Sequence, residues 1–482
     1  DELDALRAVP PLPADERRWF RDDAPSFVVW IQPTANAQLS TVDLDDLHVC
    51  DLEPWGQPTG TQVRVDPVLG RVSVAAGRPV HRLAVSWSYA FGGDLGAGPY
   101  PRRGDLGSLG EPVDWQIGVS VTDPPIANEV VPKIGDAVDA WHAWQAAHPG
   151  TNGRIVLMDS HLYRENLTSG GKIQVGQGSR LGLLAAHWPQ PEDRPRRADD
   201  PLDPVGVRPC LVGDVEVIGT GTGERPGQLA IDGLLLGGLL TVVAPASGES
   251  GLGRLELRHS TVIPYATVVP GTPGIALAAG NDRAEVLLDQ VITGPLRVAG
   301  NADTPAAPIT VIDSIVQAET GKAAIDAPGA DATLRGVTSL GTTTVRSLAA
   351  DDCLFSETVT VARRQQGCVR FSHVPEGSQT PRRYRCQPDL ATAAAPGDPT
   401  VATRVAPVFA SLRYGAAGYG RLAETAAREL REGAESGAEM GAFRQTLTPQ
   451  RLTNLGTALE EYLPLGRVAA ALPVLPIRGD LS

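Results

Sequence analysis

Between residues 229 and 356 one pattern of apolar and polar positions returns six times. The copies are Leu229–Leu236, Leu255–Ile263, Val286–Thr293, Ile309–Val316, Thr333–Leu340 and Leu348–Phe355. In each, a short apolar strand meets a brief polar step, and a second short apolar strand follows. Aligned on Asp232, His259, Asp289, Asp313, Arg335 and Asp351, successive copies lie 27, 30, 24, 22 and 16 residues apart. A single copy of this size cannot bury its own apolar face, so neighbouring copies must stack, and the pattern predicts a β-solenoid. Stacking of this kind turns Val286, Leu288, Val311, Ile315, Leu334 and Val337 inward, each against its counterpart on the next rung.

The flanks follow other patterns. Residues 1–25 are charged and proline-bearing and read as a tail or linker. Residues 26–110 read as a small β module with a glycine-rich connector. Strands are expected at Phe27–Ile31 and Leu83–Phe91, with a hairpin pairing Gln62–Val65 with Arg71–Val74. Residues 111–390 are assigned to the solenoid. Within them, Ile134 to His148 has helical spacing, with Ile134, Val138 and Trp141 on one face and Pro149-Gly150 as its stop. A helix there would cap the first rung, whose apolar side chains and backbone edge need covering. Residues 189–208 form a charged, proline-rich surface excursion. Residues 391–482 read as a linker followed by a C-terminal helical cap or docking segment. Its helices are expected at Arg421–Arg431 and Pro449–Tyr462, the second presenting Leu452, Leu455 and Leu459.

Composition narrows the function classes. The chain has 482 residues, with 53 Gly and 41 Pro, which suits many short strands and tight turns. A net charge of −14 argues against a general nucleic-acid binder. No apolar run is long enough to span a membrane as a helix. The bias toward Arg over Lys, beside abundant Ala and Gly, is that of GC-rich bacterial coding sequence. That association makes the chain bacterial and leaves its compartment open between a cytoplasmic assembly and an extracellular particle. Five Cys do not make a disulfide framework.

The helix-then-ladder order of residues 134–188, followed by irregular coils, resembles the right-handed parallel β-helix, or pectin-lyase-like, fold. The resemblance covers about residues 130–375 and carries no catalytic motif; its hand follows from the usual hand of parallel crossovers. The fold class expected is therefore mainly β, a right-handed parallel β-helix with a small N-terminal β module and a C-terminal helical segment. A second set of residues, Val65–Val74, Ser86–Tyr100, Arg413-Tyr-Gly415 and Gly437–Phe443, is similar to bacterial proteins of phage-tail-like or contractile injection particles. That likeness implies a structural or recognition part of a particle and transfers no active site.

Candidate chemistry is sparse. Asp289 and Asp313 fall at similar places in adjacent copies. On neighbouring rungs about 4.8 Å apart they approach the separation of a retaining glycosidase pair. The competing reading is that Asp at this step supports the turn by bonding backbone amides. Cys353, Cys368 and Cys386 cluster with His373 but lack zinc-site spacing. Cys368 and Cys386 would pair only in an oxidising compartment. Arg363, Arg364, Arg370, Arg382, Arg383 and Arg385 form a basic patch interleaved with Phe371 and Tyr384. It would meet another subunit, a further copy of the chain or a surface glycan, or else pair internally with Asp351, Asp352 and Glu357. The reading favoured is a non-enzymatic structural or recognition protein with no cofactor. The alternative is a polysaccharide lyase or glycoside hydrolase on the same solenoid.

Overall fold

The computed structural model describes residues 27–464 and Arg467, apart from 51, 53–57, 67–70, 88–92, 99, 103–105, 192, 264–271 and 417. The tail at 1–25 lies outside the described residues, as does the turn of the expected hairpin. The chain divides into two compact units at Phe91/Gly92.

The smaller unit is a β module. Phe27–Gln32 pairs antiparallel with Arg82–Trp87 on one side and with Ser40–Thr41 on the other. Val63–Asp66 pairs antiparallel with Arg71–Val74 and parallel with Leu47–Val49. Alternation along these strands turns Val29, Ile31, Val63 and Val65 into one core with Val42 and Leu47.

The larger unit is a parallel β-solenoid of three ladders. Ladder A opens with Trp115–Val119 and Asn152–Leu157, and continues through Arg180–Ala185, Gly227–Asp232, Leu252–Arg258, Glu285–Asp289 and Ile309–Ile312. It then takes the second halves of Ala323–Arg335 and Thr342–Asp351, and ends at Gly367–Arg370 and Arg383–Tyr384. Ladder B stacks eight strands from Leu162–Arg164 to Leu354–Phe355. Ladder C runs from Ile173–Gly176 to Val359–Val361 and merges with ladder A where the two long strands pass through both. Every pairing between rungs of these ladders' named strands is parallel, as the repeat requires.

Five of the six side chains expected inside, Val286, Leu288, Val311, Leu334 and Val337, lie in the central core. Ile315 is a correction. It is buried, but in a separate cluster on the outer side of ladder B, with Leu95, Tyr419 and Phe443. Its neighbour Val316 takes the inward place. From Thr261 to Phe355 ladder B is largely buried on both faces because chain from both ends of the unit covers its outside, so the sequence there does not alternate.

Ile134–Ala147 is the expected capping helix. Ile134, Ala137, Val138 and Trp141 enter the central core. Glu165 accepts from the first amides of the helix, those of Ile134 and Gly135, at 2.9 and 2.8 Å, which satisfies donors that a helix start leaves open. Gly153 leaves room for the Trp141 ring, since a Cβ there would collide with it.

The C-terminal region departs from expectation in three places. Helix within 421–431 is limited to Arg428–Arg431. The expected linker contains part of the helix Asp389–Ala394, and Ala391 and Val401 are buried with Leu354, Val405, Leu422, Leu430 and Met440. Thr448–Tyr462 is helical but buries no residue; Leu452 and Leu455 are 45% and 53% exposed. The covering of ladder B therefore comes from residues 405–443, not from that helix. The glycine-rich connector also belongs to the larger unit, where residues 93–102 run along the ladder.

Candidate functional site

Two residues lead from each ladder A strand toward ladder B, and the first of them is left-handed after eight successive ladder A strands. Gly233, His259, Gln290, Asp313, Gly336, Asp352, Phe371 and Arg385 all have positive φ, from 42° to 77°. From Gly233 to Phe371, each donates its amide to the carbonyl that ends the ladder A strand one rung on, at 2.8–3.2 Å. A left-handed residue costs little for Gly and is tolerated by Asp, but is strained for Gln, Phe or Arg. Stacking holds those in place. The next position inward carries Leu234, Ser260, Val291, Ser314, Val337, Cys353, Ser372 and Cys386. The three serine hydroxyls each accept from an amide of the preceding rung and donate to their own turn's carbonyl. These three buried hydroxyls are thus satisfied within the corner.

This column corrects the register of the sequence alignment. Asp232, Arg258, Asp289, Ile312, Arg335, Asp351 and Arg370 share the last strand position. His259 and Asp313 sit one residue further, in the corner itself. Asp289 is therefore level with Ile312, and Asp313 is level with Gln290. The uneven coil lengths and the mixed use of Asp at both positions hid the offset. The run of residues with positive φ was not legible either, because only two of its eight members are glycine.

Two arms of the same unit lie over the column. From the N-terminal side, Arg102 bonds Asp232 and the Ala185 carbonyl. Tyr100 hydroxyl lies 3.3 Å from His259 Nδ1, and the Ala97 amide donates to Thr261 at 2.9 Å. From the C-terminal side, Arg444 Nε donates to Asp313 at 2.6 Å and Nη1 reaches Asp352 at 3.3 Å. Asp352 also accepts from the Glu435 amide at 2.7 Å. The arms meet at Gln290, whose side-chain amide donates to the Asp94 carbonyl at 2.9 Å and to Gln445 at 3.2 Å. Gly233 and Gly336 are required here, because a Cβ would strike Arg102 at the first and Asp313 and Arg444 at the second.

Each acidic residue of interest has a cation. Asp232 is fully buried with Arg102. Asp289 pairs with Arg258 at 3.1 Å, and Arg258 also holds Glu256 at 2.7 Å. Asp351 pairs with Arg370 at 2.6 Å. Burial pushes the Asp313 carboxyl up, against the pull of Arg444.

The basic patch divides. Arg370 is paired with Asp351, and Arg383 reaches Asp389 at 3.2 Å. Arg363, Arg364, Arg382 and Arg385 are exposed, with no carboxylate within ion-pair distance among the described residues. Asp352 is held by Arg444, and Glu357 accepts from the Gly321 amide at 2.8 Å, so neither neutralises the patch. Tyr384 stands among these arginines, 54% exposed, edge-on to Phe371 at 5.8 Å.

Cys353 and Cys386 are buried free thiols of the inward column, and burial pushes Cys353 up to about 12. Cys368 is paired in register with Ala349 on the outer face of ladder A, so it and Cys386 lie on opposite sides of the sheet and are not bonded. Among the described residues no group of three His, Cys, Asp or Glu is placed to hold a metal, and no helix is long and apolar enough to cross a membrane. No protein-family model matches the chain, and neither a curated protein nor a solved structure is found to be similar to it.

Proposed function

We propose that the chain is a non-enzymatic structural or recognition protein, a rigid solenoid that presents its basic last rungs to a partner. The observation that carries this is the employment of the corner carboxylates. Asp232, Asp313 and Asp352 are tied to arginines of the two arms, and Asp289 is tied to Arg258 in the ladder. A glycosidase or lyase would need acid–base groups free to meet a sugar, whereas three of these hold the arms to the ladder and Asp289 braces one rung against the next. The pectin-lyase-like likeness then stands for architecture alone. A place in a phage-tail-like or contractile injection particle rests on the short flanking motifs and fits a solenoid whose last rungs are basic.

The test is turnover. The purified chain, incubated with a panel of acidic and neutral polysaccharides, should release neither reducing ends nor unsaturated products. Robust release that disappears in Asp289→Asn or Asp313→Asn would replace this reading with the enzyme.

A further inference from the structure

The two ends of the solenoid are finished differently. The first rungs are sealed by Ile134–Ala147. At the other end, Arg383–Tyr384 is the last strand of ladder A and, among the named strands of the described residues, pairs only with Gly367–Arg370. Val369 and Phe371 donate to the carbonyls of Arg382 and Tyr384, at 3.0 Å each. The alternation of a parallel ladder therefore turns the N–H and C=O of Arg383 to the far edge, where no named strand among the described residues pairs with it. The Arg383 side chain does not blunt that edge. It folds back to Thr380 at 2.8 Å, the Ser378 carbonyl at 3.1 Å and Asp389.

Proteins usually blunt an exposed strand edge by charge or by a cover. Apart from Asp389, which Arg383 engages, the charge at this edge is positive. Arg382 and Arg385 flank it, and Arg363 and Arg364 lie one rung back, all exposed and without a carboxylate partner among the described residues. In a chain of net charge −14, such a cluster attracts an acidic segment and repels a second copy of the same cluster. Tyr384 adds an exposed ring on the outer face of the same strand.

We infer that an extended acidic segment of a partner polypeptide adds to this edge as one more rung. Its backbone bonds Arg383, and its carboxylates meet Arg382, Arg385, Arg363 and Arg364. A polypeptide is favoured over an anionic glycan because the edge offers a backbone donor and acceptor at the strand repeat, which another strand matches. The inference rests on the recognition reading above and names the partner.

A fluorescein-labelled peptide of alternating Glu and Val tests it on the full chain, with alternating Lys and Val as control and a sulfated oligosaccharide as the competing anion. The Glu–Val peptide should bind, more weakly as salt rises, and should slow amide exchange at residues 383–385. The double variant Arg382→Glu/Arg385→Glu should weaken binding by about tenfold or more with an unchanged melting temperature, since both side chains are exposed. Should that variant melt early, Arg382→Gln/Arg385→Gln takes its place. Peptide binding that survives the substitutions, binding without protection at 383–385, or preference for the sulfated oligosaccharide would each overturn the inference. Polysaccharide turnover would sink the non-enzymatic reading and leave the peptide result standing, so the two failures are distinguishable.

Discussion

Single residues at the ladder A–B corner carry more of the structure than their types suggest. Arg444 lies between Asp313 and Asp352, both of them buried. Arg444→Met would leave two buried carboxylates without their cation and should cost about 3–5 kcal/mol, measured by chemical denaturation. The loss should shrink as pH falls and the Asp313 carboxyl, pushed up by burial, takes its proton. Gly336 has φ 60° and admits Arg444 over the corner. Gly336→Ala combines strain with collision and should destabilise by roughly 1–3 kcal/mol. By contrast, Gln290, Phe371 and Arg385 hold positive φ without being glycine. Arg385→Gly should be near neutral, the relieved strain offsetting the loss of the exposed cation–π contact that Arg385 makes over Tyr384 at 5.9 Å. None of this was legible in the chain. The corner is defined by backbone conformation and by arms distant in sequence, and a column that mixes Gly, His, Gln, Asp, Phe and Arg offers no residue signature.

At the scale of elements, the repeat was legible because its signal is periodic burial, and stacking leaves that periodicity intact. Val286, Leu288 and Val311 fall where alternation puts them. Leu288→Ala should cost about 2–5 kcal/mol in a denaturant melt. The capping helix was legible for the same reason, since Ile134, Val138 and Trp141 share one face. Trp141→Ala should cost about 3–5 kcal/mol. The helix Thr448–Tyr462 was legible as a helix but not in its role. Its apolar stripe is real, yet Leu452 and Leu455 stay exposed. Truncation after Leu447 should therefore leave the melting temperature within a degree or two (about 0.5 kcal/mol or less). A large drop would mean that the helix supports the ladder after all. Ile315 misled because a strand covered on both faces loses the alternation from which its direction is read.

At the scale of the whole molecule, the larger unit is a ladder bound by its own ends. Residues 93–102 and 435–446 reach the same column from opposite directions in sequence and meet at Gln290. The C-terminal arm also carries a pH-sensitive group. Burial pushes the Glu439 carboxyl up to about 7, against Arg421 and Arg431 and a backbone bond from Leu422, and with Glu424 adding to the rise. A carboxyl raised on folding binds its proton more tightly in the folded state, so its contribution is full below the unfolded value near 4.5 and is lost as pH rises toward 7. The chain should therefore lose up to about 3 kcal/mol between those limits, and Glu439→Gln should flatten the dependence. The central claim is that the corner carboxylates serve the architecture. A double-mutant cycle on Asp313 and Arg444, read by denaturant unfolding, tests it most directly. Asp313→Asn in the Arg444→Met background should recover at least about 1 kcal/mol, because it removes a buried charge left unpaired. Additivity of the two substitutions within about 0.5 kcal/mol would contradict it.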